Sequence, residues 1–252
     1  MLLYIFLFIF GTIIGSFLNV LIYRIPRKES IVFPSSHCTK CGHELKPFDL
    51  IPIISFITLK GRCRYCGTKI SLKYPLVELL TGFVFITIFY YFGLTAKTIS
   101  FIFLSAILIT ISFIDIEYKI IPNELILTGI LGGIVFRLVM YRDGLTDYII
   151  GFLLGAGILL LISVISGGGM GGGDIKLMAL IGLFVGWKLT LTTMFIAVIL
   201  GAICGIILIL LKIKTRKDYI PFGPYIAVAW LISILYGCNI INFYIKLISG
   251  TA

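Results

Sequence analysis

The chain has 252 residues, 60% of them apolar and 13% charged, with a mean hydropathy of +1.14. No water-soluble domain of this length needs that much apolar sequence to fill a core, so the composition specifies an integral membrane protein. The formal net charge of +10 does not point to a nucleic-acid partner, because most Lys and Arg lie in short stretches flanking apolar runs, the pattern of membrane orientation.

The first apolar run, 2–22, is too long for the apolar region of a signal peptide. It has neither a basic N-terminal flank nor an A-x-A-like cleavage site, so it reads as a retained first span. The hydrophilic segment 23–74 follows, and then seven further apolar runs at about 75–94, 98–116, 122–140, 147–165, 175–186, 189–211 and 222–245. Most approach the ~20 residues that a helix needs to cross the hydrocarbon core. The sixth is short, and its missing length falls in a glycine-rich stretch, "SGGGMGGGD", at 166–174. Backbone cannot be left bare to lipid, and continuous apolar runs without period-two alternation argue against a barrel, so each run is expected to be helical. The expected fold is an all-α polytopic membrane protein of about eight transmembrane helices, with a small zinc-knuckle segment between helices one and two. Residues 1–22 form the first helix, 23–74 the knuckle segment, and 75–252 a core of seven further helices.

If 23–74 is cytoplasmic, the alternating loops sort the basic residues into two sets. Sixteen lie inside: ten in 24–73, with Lys119, Lys176, Lys212, Lys214, Arg216 and Lys217. Five lie outside: Lys97, Arg137, Arg142, Lys188 and Lys246. This asymmetry predicts a multi-pass protein of the plasma membrane with its N-terminus outside and the knuckle segment in the cytoplasm.

Within that segment stand "CTKCG" (Cys38, Cys41) and "CRYCG" (Cys63, Cys66), with 21 residues between the pairs. Four thiolates in two C-x2-C turns suit a tetrahedral zinc ion, and a glycine after each second cysteine (Gly42, Gly67) provides the positive φ such a turn needs. Two disulfides are the alternative, disfavoured by a reducing cytoplasm. Four cysteines complete a closed structural site, which leaves His37 and His43 as surface residues and gives the metal no open catalytic position. Cys204 and Cys238, inside apolar runs, read as small packing residues.

The eleven acidic residues divide in the same way. Glu29, Glu44, Asp49, Asp143, Asp147 and Asp218 fall in hydrophilic loops, whereas Glu78, Asp115, Glu117, Glu124 and Asp174 lie in or at the ends of spans. An ionisable group there is costly and marks a functional site by default. The predicted topology puts Asp115 near the cytoplasmic end of span three and Asp174 at the cytoplasmic start of span six, so two distant aspartates share one depth. Two carboxyls in one site do not both ionise readily; one holds a proton while the other activates water, the arrangement that cleaves peptide bonds in aspartic proteases. The alternative for Asp115 alone is an ion pair with Lys119 at i+4. On helix-end electrostatics Asp174 is expected to act as the base and Asp115 as the acid, with the pair titrating as a unit. The glycines give such a site unwound backbone for an extended peptide and a way in for water. They also match G-x-G-x-x-G, but no strand precedes them and no G-K-[ST] follows, which excludes a nucleotide loop.

These residues resemble the bacterial type IV prepilin peptidases, the leader peptidase/N-methyltransferase family. The resemblance rests on "GSFLNVLIYRIPR" at 15–27, the two knuckles, "LKGRCRYCGTKISLKYPLVELLTG" at 59–82, "IDIEYKIIPN" at 114–123, "GMGGGDIKLMA" at 169–179 and "PFGPYIA" at 221–227. It implies a membrane aspartyl protease of the GxGD type, with Asp115 and Asp174 as the catalytic pair and Gly171, Gly172 and Gly173 at the motif and the substrate backbone. It further implies substrates that are prepilins or pseudopilins, with a short basic leader and a hydrophobic helix, serving pili or protein secretion. They would be cut after a glycine at the cytoplasmic face and then N-methylated from S-adenosylmethionine. By the same resemblance 23–74 is a methylation region; Glu78 in "YPLVELL" is the candidate contributor to it, with pairing to a neighbouring Lys or Arg as the equal alternative. Two positions depart from the family pattern: Glu117 and Asn123 each stand where an aspartate is frequent. A transporter or ion pathway built on an intramembrane acid pair is the main rival, but only one interrupted span and no repeat are present. A partner-docking membrane protein and a presenilin-like protease are further rivals. The first leaves the paired aspartates without a reason, and the knuckle between spans one and two weighs against the second.

Overall fold

The computed structural model describes residues 1–140, 144–215, 218 and 220–249. Arg142, Asp143, Arg216 and Lys217, part of the charge inventory, lie outside the described residues. Nine α-helices stand among them: α1 Leu2–Arg24, α2 Ile54–Thr58, α3 Lys73–Phe92, α4 Ala96–Tyr118, α5 Asn123–Met140, α6 Leu145–Ile165, α7 Gly172–Val185, α8 Trp187–Leu210 and α9 Gly223–Ser249. The described residues contain no strand, only two isolated bridges within the cysteine turns. A helix occupies each of the eight expected apolar runs. Six of them (α1, α3, α4, α6, α8 and α9) are long and apolar enough to cross a membrane, which makes the chain a multi-pass membrane protein. The other two, α5 and α7, are not among these six. The chain divides into two compact units, Met1–Thr110 and Ile111–Ala252.

In the first unit α1 packs along α3. The spacing of Gly11 and Gly15 lets the two backbones touch: a Cβ on Gly15 would stand 2.7 Å from the Cα of Glu78, and one on Gly11 2.7 Å from the Cα of Gly82. Small residues four apart are how helices associate where lipid offers no hydrophobic drive. One turn beyond Gly15, Asn19 is buried and gives its side-chain N–H to the Tyr74 carbonyl at 3.0 Å. Arg24 ends α1 as a buried guanidinium, donating to the carbonyls of Ser30, Ile31, Pro34 and Ser35 and pinning the loop that leads to the first knuckle.

The second unit is organised around α7, which is buried almost all round: Leu177, Met178, Leu180, Ile181, Leu183 and Phe184 all lie inside. A short helix that is apolar on every face belongs within a bundle. It packs against α6 through glycine, where a Cβ on Gly155 would reach the Met178 carbonyl at 2.5 Å and Gly182 faces the Gly151 backbone. Arg137 of α5 was expected among the outer loop charges, but the structure buries it. Its guanidinium donates to the Leu183 and Phe184 carbonyls at the end of α7 and lies over the Tyr148 ring at 3.0 Å. Terminal carbonyls have no partner within their own helix, and a cation at that end also complements the helix dipole.

Candidate active site and metal centre

Both predicted aspartates lie in the second unit, and both are buried, Asp115 at 1% exposure and Asp174 at 3%. Asp115 stands in the last turn of α4 and Asp174 in the first turn of α7, as their neighbouring sequence required. The two carboxyl groups are close enough to act on one another electrostatically. Each keeps one buried oxygen, Oδ1, without a hydrogen-bond partner among the described residues. Orphaned acceptors of that kind are uncommon in a folded interior and mark a place where water or substrate belongs.

The start of α7 depends on its glycines in unequal ways. The stretch after α6 uses Gly167 (φ +63°) and Gly168 (φ +95°) to leave the helix, conformations that glycine adopts without strain. The N–H groups of Gly167, Gly168 and Gly169 bond back to Val164, Ser163 and Ser166, so this part of the run closes α6 and does not offer free backbone. The backbone N–H groups without a partner in the adjoining helices are those of the later glycines. Gly171 caps α7 in an extended conformation, and the first-turn amides of Gly172 and Gly173 have no acceptor within the helix. A Cβ on Gly173 would stand 2.7 Å from the Cβ of Ile121, whereas one on Gly172 would meet open space.

A residue without an assigned role in the sequence completes the site. The N–H of Gly223, at the start of α9, donates to Asp115 Oδ2 at 2.8 Å, and a Cβ there would stand 2.9 Å from the same oxygen. The signal lay in "PFGPYIA": a glycine between prolines at a helix start is a tight backbone approach waiting for a partner. Of the two departures, Glu117 is exposed, and Asn123 accepts a hydrogen bond from Lys176 at 2.9 Å.

In the first unit the two C-x2-C turns are built alike. Cys38 N–H bonds His43 O and Gly42 N–H bonds Cys38 O; Cys63 N–H bonds Thr68 O and Gly67 N–H bonds Cys63 O. Gly42 and Gly67 take positive φ, +70° and +67°. The four cysteines are unbridged, and their sulfurs all lie within 4.8 Å of one another. Sulfurs about 2.3 Å from one tetrahedral ion stand roughly 3.8 Å apart, and Cys38 and Cys66 are 3.9 Å apart. The set therefore fits a metal ion. The backbone N–H of Cys41 holds the Cys38 thiol down to about 6, against the opposing pull of burial, which favours the thiolate a metal needs. Neither histidine joins the cluster: His43 stacks on Tyr65, and His37 Nδ1 lies 3.0 Å from the Ser35 carbonyl.

Asp49, expected as a plain loop acid, instead ties the second knuckle to the segment before it. Its side chain is 3% exposed and bonds Arg64 at 2.6 Å. Burial raises its pKa, but the Arg64 bond and the Lys46 amide outweigh this and leave it below the ordinary value. A depressed carboxylate stabilises the fold above its unfolded pKa and loses that contribution as pH falls through the folded value. Melting curves taken between roughly pH 5 and pH 3 should thus converge for the parent and Asp49→Asn as the pH drops. The effect should be small, because Arg64 is half exposed. Curves a constant distance apart over that range would deny the ion pair.

Two family models match the chain in succession: the Bacterial Peptidase A24 N-terminal domain over residues 9–92, and the Type IV leader peptidase family over 102–206. The chain belongs to the type IV leader peptidase family. The prepilin leader peptidase/N-methyltransferase of Bacillus subtilis (strain 168) is 37% identical over 244 residues, 97% of this chain and 98% of that protein. Proteins of the same name from Aeromonas salmonicida (strain A449) and a Pseudomonas aeruginosa strain are 34% and 31% identical, over 96% and 94% of this chain and 93% and 91% of theirs. No solved structure matches. In this leader peptidase family chain the four cysteines and Glu78 fall in the N-terminal domain match, and Asp115 and Asp174 in the peptidase match. Gly223 lies beyond both.

Proposed function

We propose that this chain is a membrane aspartyl endopeptidase. It removes the short basic leader from prepilins or pseudopilins after a glycine, at the cytoplasmic face of the plasma membrane, and then methylates the new N-terminal amine from S-adenosylmethionine. The observation that carries the reading is the buried pair of Asp115 and Asp174, with an unpartnered oxygen on each, inside the region matched by the leader peptidase family. One carboxylate takes a proton from water as the water oxygen bonds to the scissile carbonyl carbon. The other carboxyl protonates the carbonyl oxygen, and the C–N bond then breaks with the proton delivered to the leaving amine. The amide of Gly223 touches Asp115, so the acid and base labels drawn from helix ends alone describe microstates of one coupled pair. The later glycines, Gly171 to Gly173, present backbone to an extended substrate next to Asp174.

The topology that agrees with this chemistry has the N-terminus outside and 23–74 in the cytoplasm, as the distribution of basic residues indicates. Zinc is the metal proposed for Cys38, Cys41, Cys63 and Cys66, in a structural role, since four sulfurs leave no open coordination position. Elemental analysis should find roughly one zinc per chain in the parent and none in the double variant Cys38→Ser/Cys63→Ser, which should also melt at lower temperature. Equal zinc in both would remove these residues as ligands.

The test of function is incubation of the purified protein in detergent with a prepilin-like substrate, with and without S-adenosylmethionine. The product should begin after the glycine and gain one methyl only when the donor is present. An uncut substrate would sink the peptidase reading, and a cut product without the added methyl would sink the methyltransferase reading alone.

A further inference from the structure

The two aspartates of the buried pair are held unequally. Asp115 Oδ2 accepts the Gly223 N–H at 2.8 Å, whereas no hydrogen bond reaches the Asp174 side chain among the described residues. Gly223 is the first residue of α9, and the Ile226 N–H closes the first turn on the Phe222 carbonyl. The Gly223 amide therefore has no acceptor within its own helix. Pro221 and Pro224 fix φ on both sides of the Phe222–Gly223 peptide, and Pro224 has no N–H of its own. The expectation from helix ends set Asp115 against the negative end of α4. The fold sets the same carboxyl against the positive end of α9 as well, a helix of 27 residues. The two ends offset one another, and the hydrogen bond remains. An N–H bonded to a carboxylate is roughly twice as strong as one bonded to a neutral oxygen, so it favours charge on the acceptor. Neither aspartate has an ion-pair partner among the described residues: Lys119 makes none with Asp115, and Lys176 gives its Nζ to Asn123 Oδ1. Glu78, the buried acid of the first unit, provides the contrast. Its Oε2 accepts the Ile53 N–H at 2.8 Å, Ser16 also hydrogen-bonds this carboxyl, and it leaves no buried oxygen orphaned. No Lys or Arg pairs with it among the described residues.

We propose that Gly223 is a positioning residue that makes Asp115 the base of the pair and leaves the shared proton on Asp174. This reverses the roles expected from the ends of α4 and α7, and it rests on the aspartyl-protease reading above. With Oδ2 tied to the amide, the buried and unpartnered Oδ1 of Asp115 is the oxygen that takes a proton from water. The water oxygen bonds to the scissile carbonyl carbon, the carbonyl π electrons pass to their oxygen, and that oxygen takes the Asp174 proton. In the collapse, one hydroxyl of the tetrahedral intermediate returns a proton to Asp174. The Asp115 proton goes to the leaving nitrogen, which keeps the electrons of the broken C–N bond. Each carboxyl thus ends in the state in which it began. A Cβ on Gly223 would stand 2.9 Å from Asp115 Oδ2, so a larger residue there displaces the base. The atom it meets is the free end of a side chain, which moves more readily than backbone.

The test treats the full-length protein in detergent, without substrate, with dicyclohexylcarbodiimide, which adds to protonated carboxyl groups in apolar sites and spares ionised ones. Peptide mapping of the parent should find the adduct on Asp174 and not on Asp115. In Gly223→Ala the adduct should divide between the two aspartates. With a prepilin-like substrate, kcat of this variant should fall at least about tenfold, with KM within about twofold of the parent. Adduct on Asp115 of the parent, or none on its Asp174, overturns the proposal. Parental labelling or parental kcat in Gly223→Ala also overturns it, since a purely structural glycine would slow cleavage without moving the proton. A parent that cuts no substrate removes the protease reading itself, whatever the label shows. Should Gly223→Ala fail to fold, the label map of the parent decides.

Discussion

Asp115→Asn and Asp174→Asn should each lower the rate of leader cleavage by at least about a thousandfold, without loss of the folded chain. Losing one member of a pair that works as a unit costs nearly as much as losing both, so the double variant should be hardly slower than either single one. The substitution is close to isosteric, and each residue already leaves one oxygen unpaired, so no hydrogen bond recorded at Oδ1 is forfeited. Asparagine at 115 can still turn a carbonyl oxygen to the Gly223 amide that now meets Oδ2. Single-turnover cleavage of a prepilin-like substrate in detergent, alongside a melting curve and the zinc content, separates lost chemistry from lost fold. Cleavage by either single variant at the parental rate would end the aspartyl-protease reading. A cation transporter would instead show altered ion flux in proteoliposomes and no cleavage by the parent.

Gly182→Val should be the most damaging substitution outside the dyad. A Cβ at this position runs directly into the backbone of Gly151 and Phe152, where no side chain can move aside. Overfilling a packed contact costs about 1–3 kcal/mol and occasionally more, and here the obstruction lies between two helix backbones. α6 and α7 must separate, and α7 carries Asp174 into the site, so cleavage should fall together with the melting temperature. Gly157→Val provides the control, since a Cβ on Gly157 of α6 meets nothing. It should melt and cleave like the parent. If Gly182→Val also behaves like the parent, α6 and α7 do not pack as described.

These two predictions differ in how far the sequence alone could have reached them. The aspartates were legible because charge is scarce in this chain: with 13% charged residues, an acid inside an apolar run is conspicuous by itself. Asp174 showed itself further by the glycines before it and Asp115 by its place near the end of a span. The cysteines were legible because a C-x2-C turn is a local structure, and its two ligands, its glycine and its amides all lie within a few residues. The eight apolar runs followed from hydropathy alone, since lipid permits an isolated span no other backbone. The crossing helices were harder to count, because α7 is short and buried among its neighbours, and hydropathy does not distinguish lipid from protein interior.

Gly182 could not be picked out from the other 26 glycines, because the reason for it is on another helix. The same holds for Gly223 on Asp115, 108 residues away, and for Arg137 on Phe184, 47 residues away. Arg137 and Asp49 both looked like loop charges, because their partners, the end of α7 and Arg64, become neighbours only when the chain folds. Composition and local spacing thus determined that this is a helical membrane protein with a four-cysteine cluster fit for a metal ion and a pair of acids. Only the tertiary structure decided which oxygen the Gly223 amide holds and which glycines are required. Each of those is a contact across tens of residues, set by close packing between helices, and a linear sequence does not record which faces meet.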